Sequence, residues 1–267
     1  MNTEPETYSL LGKPLYAAAA VPAERRAELE AARDETRAEL EAAPDDVAAI
    51  HAHAKSLAAL HEFRAAVALL SDAIERLPES DRAMLYCDRG HYRVNLREFE
   101  LAEADLLQAT SEDEFEVWYH LALARWFSGK FEEALETFRR CYAITEGDSH
   151  RAAITDWLYM CLNRLGRSEE AAPLLEDIHP DMEMTGNNHL YLKQLLFYKG
   201  EFSEQEMEEL CAHGGLALTN NFTMGCWYLA RGDESRAKQL FQRVVDEGTV
   251  WGAFGQIGAE AELARAR

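Results

Sequence analysis

Apolar residues along the chain fall into short stretches, and within them one short pattern returns at a fixed phase. It reads F-x-x-A, sits just after a turn and is followed each time by an apolar helical segment: Phe63/Ala66, Phe99/Ala102 and Phe131/Ala134. Weaker versions stand at Ser168/Ala171, Phe202/Gln205 and Glu234/Ala237. Seven residues beyond the first three alanines lies another small residue, Ala73, Ala109 or Cys141, and twelve residues before them a third, Ala54, Gly90 or Ala122. Gly225 stands at that same offset before Ala237. Glycines precede the aromatic position by two residues at Gly129, Gly166, Gly200 and Gly232. Successive alanines of the pattern are 36, 32 and 37 residues apart. A period of this length with small residues in phase predicts pairs of antiparallel helices. Two helices approach closely only where side chains are small, and each pair leaves an apolar face for the next pair to cover.

The pattern predicts six helix pairs, at about 47–79, 81–112, 114–147, 150–179, 186–213 and 217–248, with Pro78 ending the first and Gly214-Gly215 the fifth. A local break is expected near Pro180–Asn188. Four segments follow: an extended arm over 1–21, a charged helix over 22–43, repeats over 44–251 and a capping helix over 252–267, together one structural domain. The charged helix carries a thin stripe of Leu29, Ala32, Thr36 and Leu40. In the last helix Phe254, Ile257 and Leu263 are expected to seal the array, with Glu260, Glu262 and Arg265 facing water.

Arg89-Gly90, Phe99, Ala102 and Ala109 in one unit resemble the tetratricopeptide repeat (TPR) family, as do Trp118, Leu121, Gly129, Phe131, Ala134 and Phe138 in the next. Gly225, Tyr228, Gly232, Ala237 and Phe241 repeat the resemblance near the end of the chain. The family implies an all-α, right-handed α-solenoid of about six helix pairs, here with an N-terminal helix and a C-terminal capping helix. The sequence departs from the family where Arg93 and Arg125 replace an aromatic or apolar residue, where Ser168 replaces the aromatic and where Gln205 replaces the small residue. Irregular units of this kind predict an irregular superhelix.

In this family the first helix of each pair lines the concave side. The resemblance therefore implies a peptide-binding groove of His51 and Lys55, His91 and Asn95, Tyr119, Trp126 and Phe127, Met160, Asn163 and Arg164, Gln194, Phe197 and Tyr198, and Phe222. Open aromatic surface rimmed by polar groups marks a binding site, whereas rings packed between helices are core. The arm Tyr8–Tyr16 offers a third outcome, lying along its own groove or that of a neighbour. The first residues of the groove break the Lys/Asn/Arg set with which some family members grip chaperone tails, so chaperone-tail binding is not expected.

Charge narrows the partners. With a net charge of -21 the chain repels phosphate backbones and anionic lipid, so neither nucleic acid nor membrane is an expected partner. A basic protein segment suits it, although an acidic surface with only six lysines also fits salt adaptation. Cys87, Cys141, Cys161, Cys211 and Cys226 are widely spaced without C-x-x-C, which fits reduced thiols and a cytoplasmic protein. The stretch from Leu10 to Ala23 lacks a basic start and is broken by Lys13-Pro14, so no secretory signal is expected.

The chemistry of catalysis is hard to find. His51 and His53 are two residues apart and point to different sides of a helix, with no third metal ligand at useful spacing. Gly12-Lys13 lacks the upstream glycine of a phosphate loop, and Cys211-x-His213 reads as helix-end packing. No cofactor, metal or catalytic group is expected, and the chain reads as a scaffold or adaptor for an extended peptide or partner helix. A self-assembling protein, its arm or last helix docked on another copy, is the alternative. An enzyme built on a solenoid is the remote one.

Overall fold

A computed structural model describes residues 4–110, 114–212 and 217–267. His213 and Gly214-Gly215, and with them the Cys211-x-His213 reading and the expected stop of the fifth pair, lie outside the described residues. Two strands, β1 (Thr7–Tyr8) and β2 (Pro14–Leu15), pair antiparallel. Among the described residues everything else regular is helical. Short α1 (Ala17–Ala20) and long α2 (Ala23–Ala42) lead into the hairpins α3/α4 (Val47–Ala59, Phe63–Arg76), α5/α6 (Ala83–Asn95, Phe99–Ala109) and α7/α8 (Phe115–Phe127, Phe131–Ile144). Then come α9/α10 (Asp148–Arg164, Ser168–Ala171), α11/α12 (His189–Lys199, Glu204–Ala212), α13/α14 (Ala217–Ala230, Glu234–Glu247) and α15 (Phe254–Arg265). The hairpins fall where the repeat phase puts them. The second helix of the fourth pair is cut short because Pro173 has no amide proton to continue it, and the chain tightens into a 3-10 turn at Ala172–Leu175.

The chain divides into two compact units, residues 1–124 with 249–253, and residues 125–248 with 254–267.

All six hairpins turn in the same way. The N–H of the second or third residue past the first helix bonds back five residues: Glu62 to Leu57, Glu98 to Arg93, Lys130 to Arg125, Arg167 to Leu162, Glu201 to Leu196 and Asp233 to Tyr228. This Schellman closure needs a left-handed residue just before that N–H. Four turns supply glycine there, Gly129, Gly166, Gly200 and Gly232. The first two turns supply His61 (φ 59°) and Arg97 (φ 67°) instead.

The small residues do what their phase implies. A Cβ on Gly90 would stand 2.6 Å from Leu106 Cγ, and one on Gly225 would stand 2.4 Å from Phe241 Cε1. Ala54, Ala66, Ala102, Ala134 and Cys141 are fully buried. The arginine departures have partners at a matching phase. Arg89 and Arg93 both grip the buried Asp105, at 2.6 and 2.7 Å, and Arg125 donates to Thr137 Oγ1 at 2.6 Å. Asp105 and Thr137 each lie three residues beyond the alanine of the pattern, so a polar pair replaces an apolar one at the same contact.

The arm is folded onto its own unit. Leu15 joins the core of Ile50, Ala54, Phe63, Leu70 and Tyr92. Glu6 Oε2 accepts from the Arg64 amide at 2.9 Å, and Thr7 Oγ1 donates to the Leu96 carbonyl at 2.8 Å. In the second unit the last helix corrects its expectation. Glu260 and Glu262 are buried, not water-facing, and Glu262 is held by Arg164 at 3.2 Å and Arg265 at 2.6 Å. A buried carboxylate is tolerated when charge-assisted hydrogen bonds replace its water.

Candidate functional site

In the first unit the first helices of three successive hairpins face a cavity of about 610 Å³. From α3 it receives His51 and Lys55, from α5 Cys87, Asp88, His91, Tyr92 and Asn95, and from α7 Glu116 and His120. Four expected groove residues, His51, Lys55, His91 and Asn95, are therefore brought together. The turn residues His61 and Phe63 and the segment Val250, Gly252 and Ala253 complete the wall.

The wall is rich in histidine, and its histidines are not alike. His51 Nδ1 lies 2.6 Å from Asp88 Oδ2, and that hydrogen bond raises its pKa. His91 and His120 stack at 3.9 Å between centroids, 17° apart in plane. Burial lowers His91 to about 4 and pushes His120 well below its ordinary value. The same desolvation brings His61 to about 4. At neutral pH the cavity thus presents uncharged imidazole faces beside the hydrogen-bonded His51 and Asp88. Burial, helped by Asp88, Glu116 and Glu114, drives the Cys87 thiol up to about 12. Such a thiol is protonated at neutral pH and a poor nucleophile.

Asn95 is 3% exposed. Its Nδ2 donates to the Gly252 carbonyl at 2.7 Å, which fixes the amide's orientation. Its Oδ1 is buried without a protein donor. A buried acceptor left unmet costs free energy.

The remaining expected groove residues do not form an open face. Tyr119, in the first unit, is buried against Phe115, their rings 5.1 Å apart. In the second unit Trp126 and Phe127 are each no more than 2% exposed, because Trp157 of α9 packs edge-on against both. Phe222 is buried between Trp157 and Phe241, and the missing Cβ of Gly258 admits its ring. Phe197 is buried against Trp227, Met160 is buried, and half-buried Tyr198 stacks on Tyr159 at 4.2 Å. Asn163 turns back on its own hairpin, donating to the Tyr159 carbonyl and accepting from Ser168 Oγ. Arg164 is engaged by Glu262 and covers the Phe131 ring.

Gln194, fully buried, belongs to a polar cluster. With its amide turned to suit its neighbours it donates to Asp156 at 3.1 Å and accepts from Thr223 Oγ1 at 3.0 Å. Burial holds the Asp156 carboxyl well above the ordinary range.

His61, Asp88, Glu116, His120 and the segment around Trp251 lie outside the groove expected from the repeat. A signal for His61 was present, since it occupies the turn position that four other hairpins give to glycine. Among the described residues no three His, Cys, Asp or Glu side chains are grouped to hold a metal ion, and no helix is long and apolar enough to cross a membrane.

The helix hairpins, their shared turn and their phased small residues define an all-α protein of the helical-repeat, or α-solenoid, class. Tetratricopeptide repeat models match residues 115–148 and 221–247. Those two stretches of the chain are tetratricopeptide repeats. No curated protein matches it by sequence. Among solved structures it is similar to YrrB, described as a TPR protein with an unusual peptide-binding site. The identity is 16%, the TM-score 0.48, and the match covers 80% of this chain and 93% of that one. It is also similar to MamA MSR-1 C2, at 15% identity and TM-score 0.43, over 64% of this chain and 98% of that one.

Proposed function

We propose that the protein is a protein-interaction scaffold whose first unit receives a short segment of a partner polypeptide in the cavity of His51, His91, Asn95 and His120. The observation that carries this reading is the convergence of the first helices of three successive hairpins on one space of about 610 Å³. That volume lies within the ordinary range of about 300–1,000 Å³ for ligand sites, and suits a few side chains instead of a whole helix. Neutral imidazole faces offer flat contact surface, and Asn95 stands in the same wall. A basic or neutral guest suits a chain of net charge -21. The depressed nucleophilicity of Cys87 and the neutral histidines favour binding over covalent catalysis. The arm's engagement with its own unit argues against its serving as a hook for a second copy.

The test is a selection of displayed random peptides on the purified protein, followed by anisotropy titration of the selected sequences. Filling the cavity with His91→Trp, in a variant whose melting temperature is retained, is expected to raise Kd by about tenfold or more, the loss of one well-placed contact. Selection of no peptide above background, or a Kd unmoved by His91→Trp, refutes the assignment.

A further inference from the structure

Two of the six hairpin turns break the glycine rule, and both reach the same residue. His61 and Arg97 hold a left-handed backbone that side chains rarely adopt. The His61 ring meets the Trp251 indole edge-on at 5.2 Å, and the Arg97 guanidinium lies over that indole at 5.5 Å. Arg97 Nη2 also donates to the Trp251 carbonyl at 2.8 Å, while Asn95 takes the next carbonyl, that of Gly252. Phe63 closes the box at 5.3 Å, and the indole Nε1 donates to the Tyr16 carbonyl at 3.0 Å. The bound piece is a tight turn in which the Ala253 amide bonds the Val250 carbonyl at 2.9 Å. It fits closely: a Cβ on Gly252 would come within 3.2 Å of His61 Nε2 and of Phe63 Cζ.

Glycine would close both hairpins with less strain, as it does in the other four. What His61 and Arg97 add is their grip on a segment remote in sequence. We propose that these two residues keep their strained turns in order to hold the chain's own Val250–Ala253, a Trp-Gly turn latched in cis, and so position one wall of the cavity. The latch supplies that wall through Val250, Gly252 and Ala253. Its consequence for guest binding rests on the function proposed above, whereas the docking itself does not.

The test needs no guest. In the full chain, His61→Gly/Arg97→Gly is expected to keep its helical circular dichroism and its melting temperature, since both turns are relieved of strain. Amide hydrogen exchange over residues 249–253 is expected to rise by about tenfold or more, because the Arg97 hydrogen bond and both ring contacts are gone. Exchange within twofold of the native chain would show two ordinary turns and overturn the proposal. If the double variant does not fold, Arg97→Gly alone is read against the same limits. Protection that rises with protein concentration would mean that a second copy supplies the turn, and would overturn the latch in cis. A latch confirmed while no peptide binds the cavity separates this inference from the proposed function.

Discussion

Asp105 is the residue whose removal tests most directly how this chain tolerates polar groups inside its repeats. Its side chain is 5% exposed and takes two arginines, Arg89 with 13% of its side chain exposed and Arg93 with 16%. Asp105→Ala leaves two guanidiniums facing a space their only buried carboxylate has vacated. Arg89 keeps the Ser71 hydroxyl at 3.0 Å, and Arg93 keeps Glu98 at a marginal 4.0 Å, so neither is fully compensated. Breaking a buried ion pair from one side costs about 3–5 kcal/mol. With a urea m-value of about 2 kcal/mol/M, the midpoint followed by far-UV circular dichroism at pH 7 should fall by about 2 M. The counterpart is the triple change Arg89→Met, Arg93→Leu, Asp105→Leu, which removes all three charges and restores the apolar contact the repeat pattern expects. It should lie within about 1 kcal/mol of the native chain, since well-packed apolar replacements of buried ion clusters are often neutral or better. A cost under about 1 kcal/mol for Asp105→Ala would show that water already compensates the charges. A triple variant as unstable as the single one would show that the loss lies in packing and not in uncompensated charge.

Two more expectations follow from the same geometry. Gly225→Ala should cost more than Gly90→Ala, because the first meets a rigid Phe241 ring at 2.4 Å and the second the mobile branch of Leu106 at 2.6 Å; about 2–3 kcal/mol against about 1 kcal/mol is expected from thermal melts, and equal losses would refute the ring's role. The buried histidines should make the fold acid-sensitive above the carboxylate range: His61 and His91 titrate near 6.5 when unfolded and at about 4 when folded, so between those values only the unfolded chain takes up their protons and stability falls with pH, by about 1–3 kcal/mol per histidine. His51, raised by Asp88, acts in the opposite sense, its contribution present at low pH and lost as pH climbs through its folded pKa. A melting temperature no lower at pH 5 than at pH 7.5 would refute the balance.

What was legible in the sequence, and what was not, follows from how each feature is encoded. The hairpins were legible because their determinants are local and repeated. A left-handed turn position recurs in every hairpin and small residues at fixed offsets in most units, and the structure spends the latter on the close contacts at Gly90 and Gly225. Which aromatics would be open was not legible. Trp126, Phe127 and Phe222 are placed by Trp157, which lies outside the pattern, and a ring becomes core or surface only when the next pair arrives over it. Trp157 fills that gap, so the aromatic groove expected from register alone is closed. The polar substitutions were half legible. Arg93 and Arg125 stood out as departures, but their meaning lay in Asp105 and Thr137, one contact away on the facing helix. The sharpest signal was a difference between repeats. Four hairpins place glycine where φ must be positive, and two place histidine and arginine there. A strained position kept by a large side chain implies something for that side chain to hold, and in both turns it is the Trp251 segment, some 150 residues or more along the chain. The wall of the candidate site thus depends on an element with no place in the repeat, which periodicity alone does not reveal.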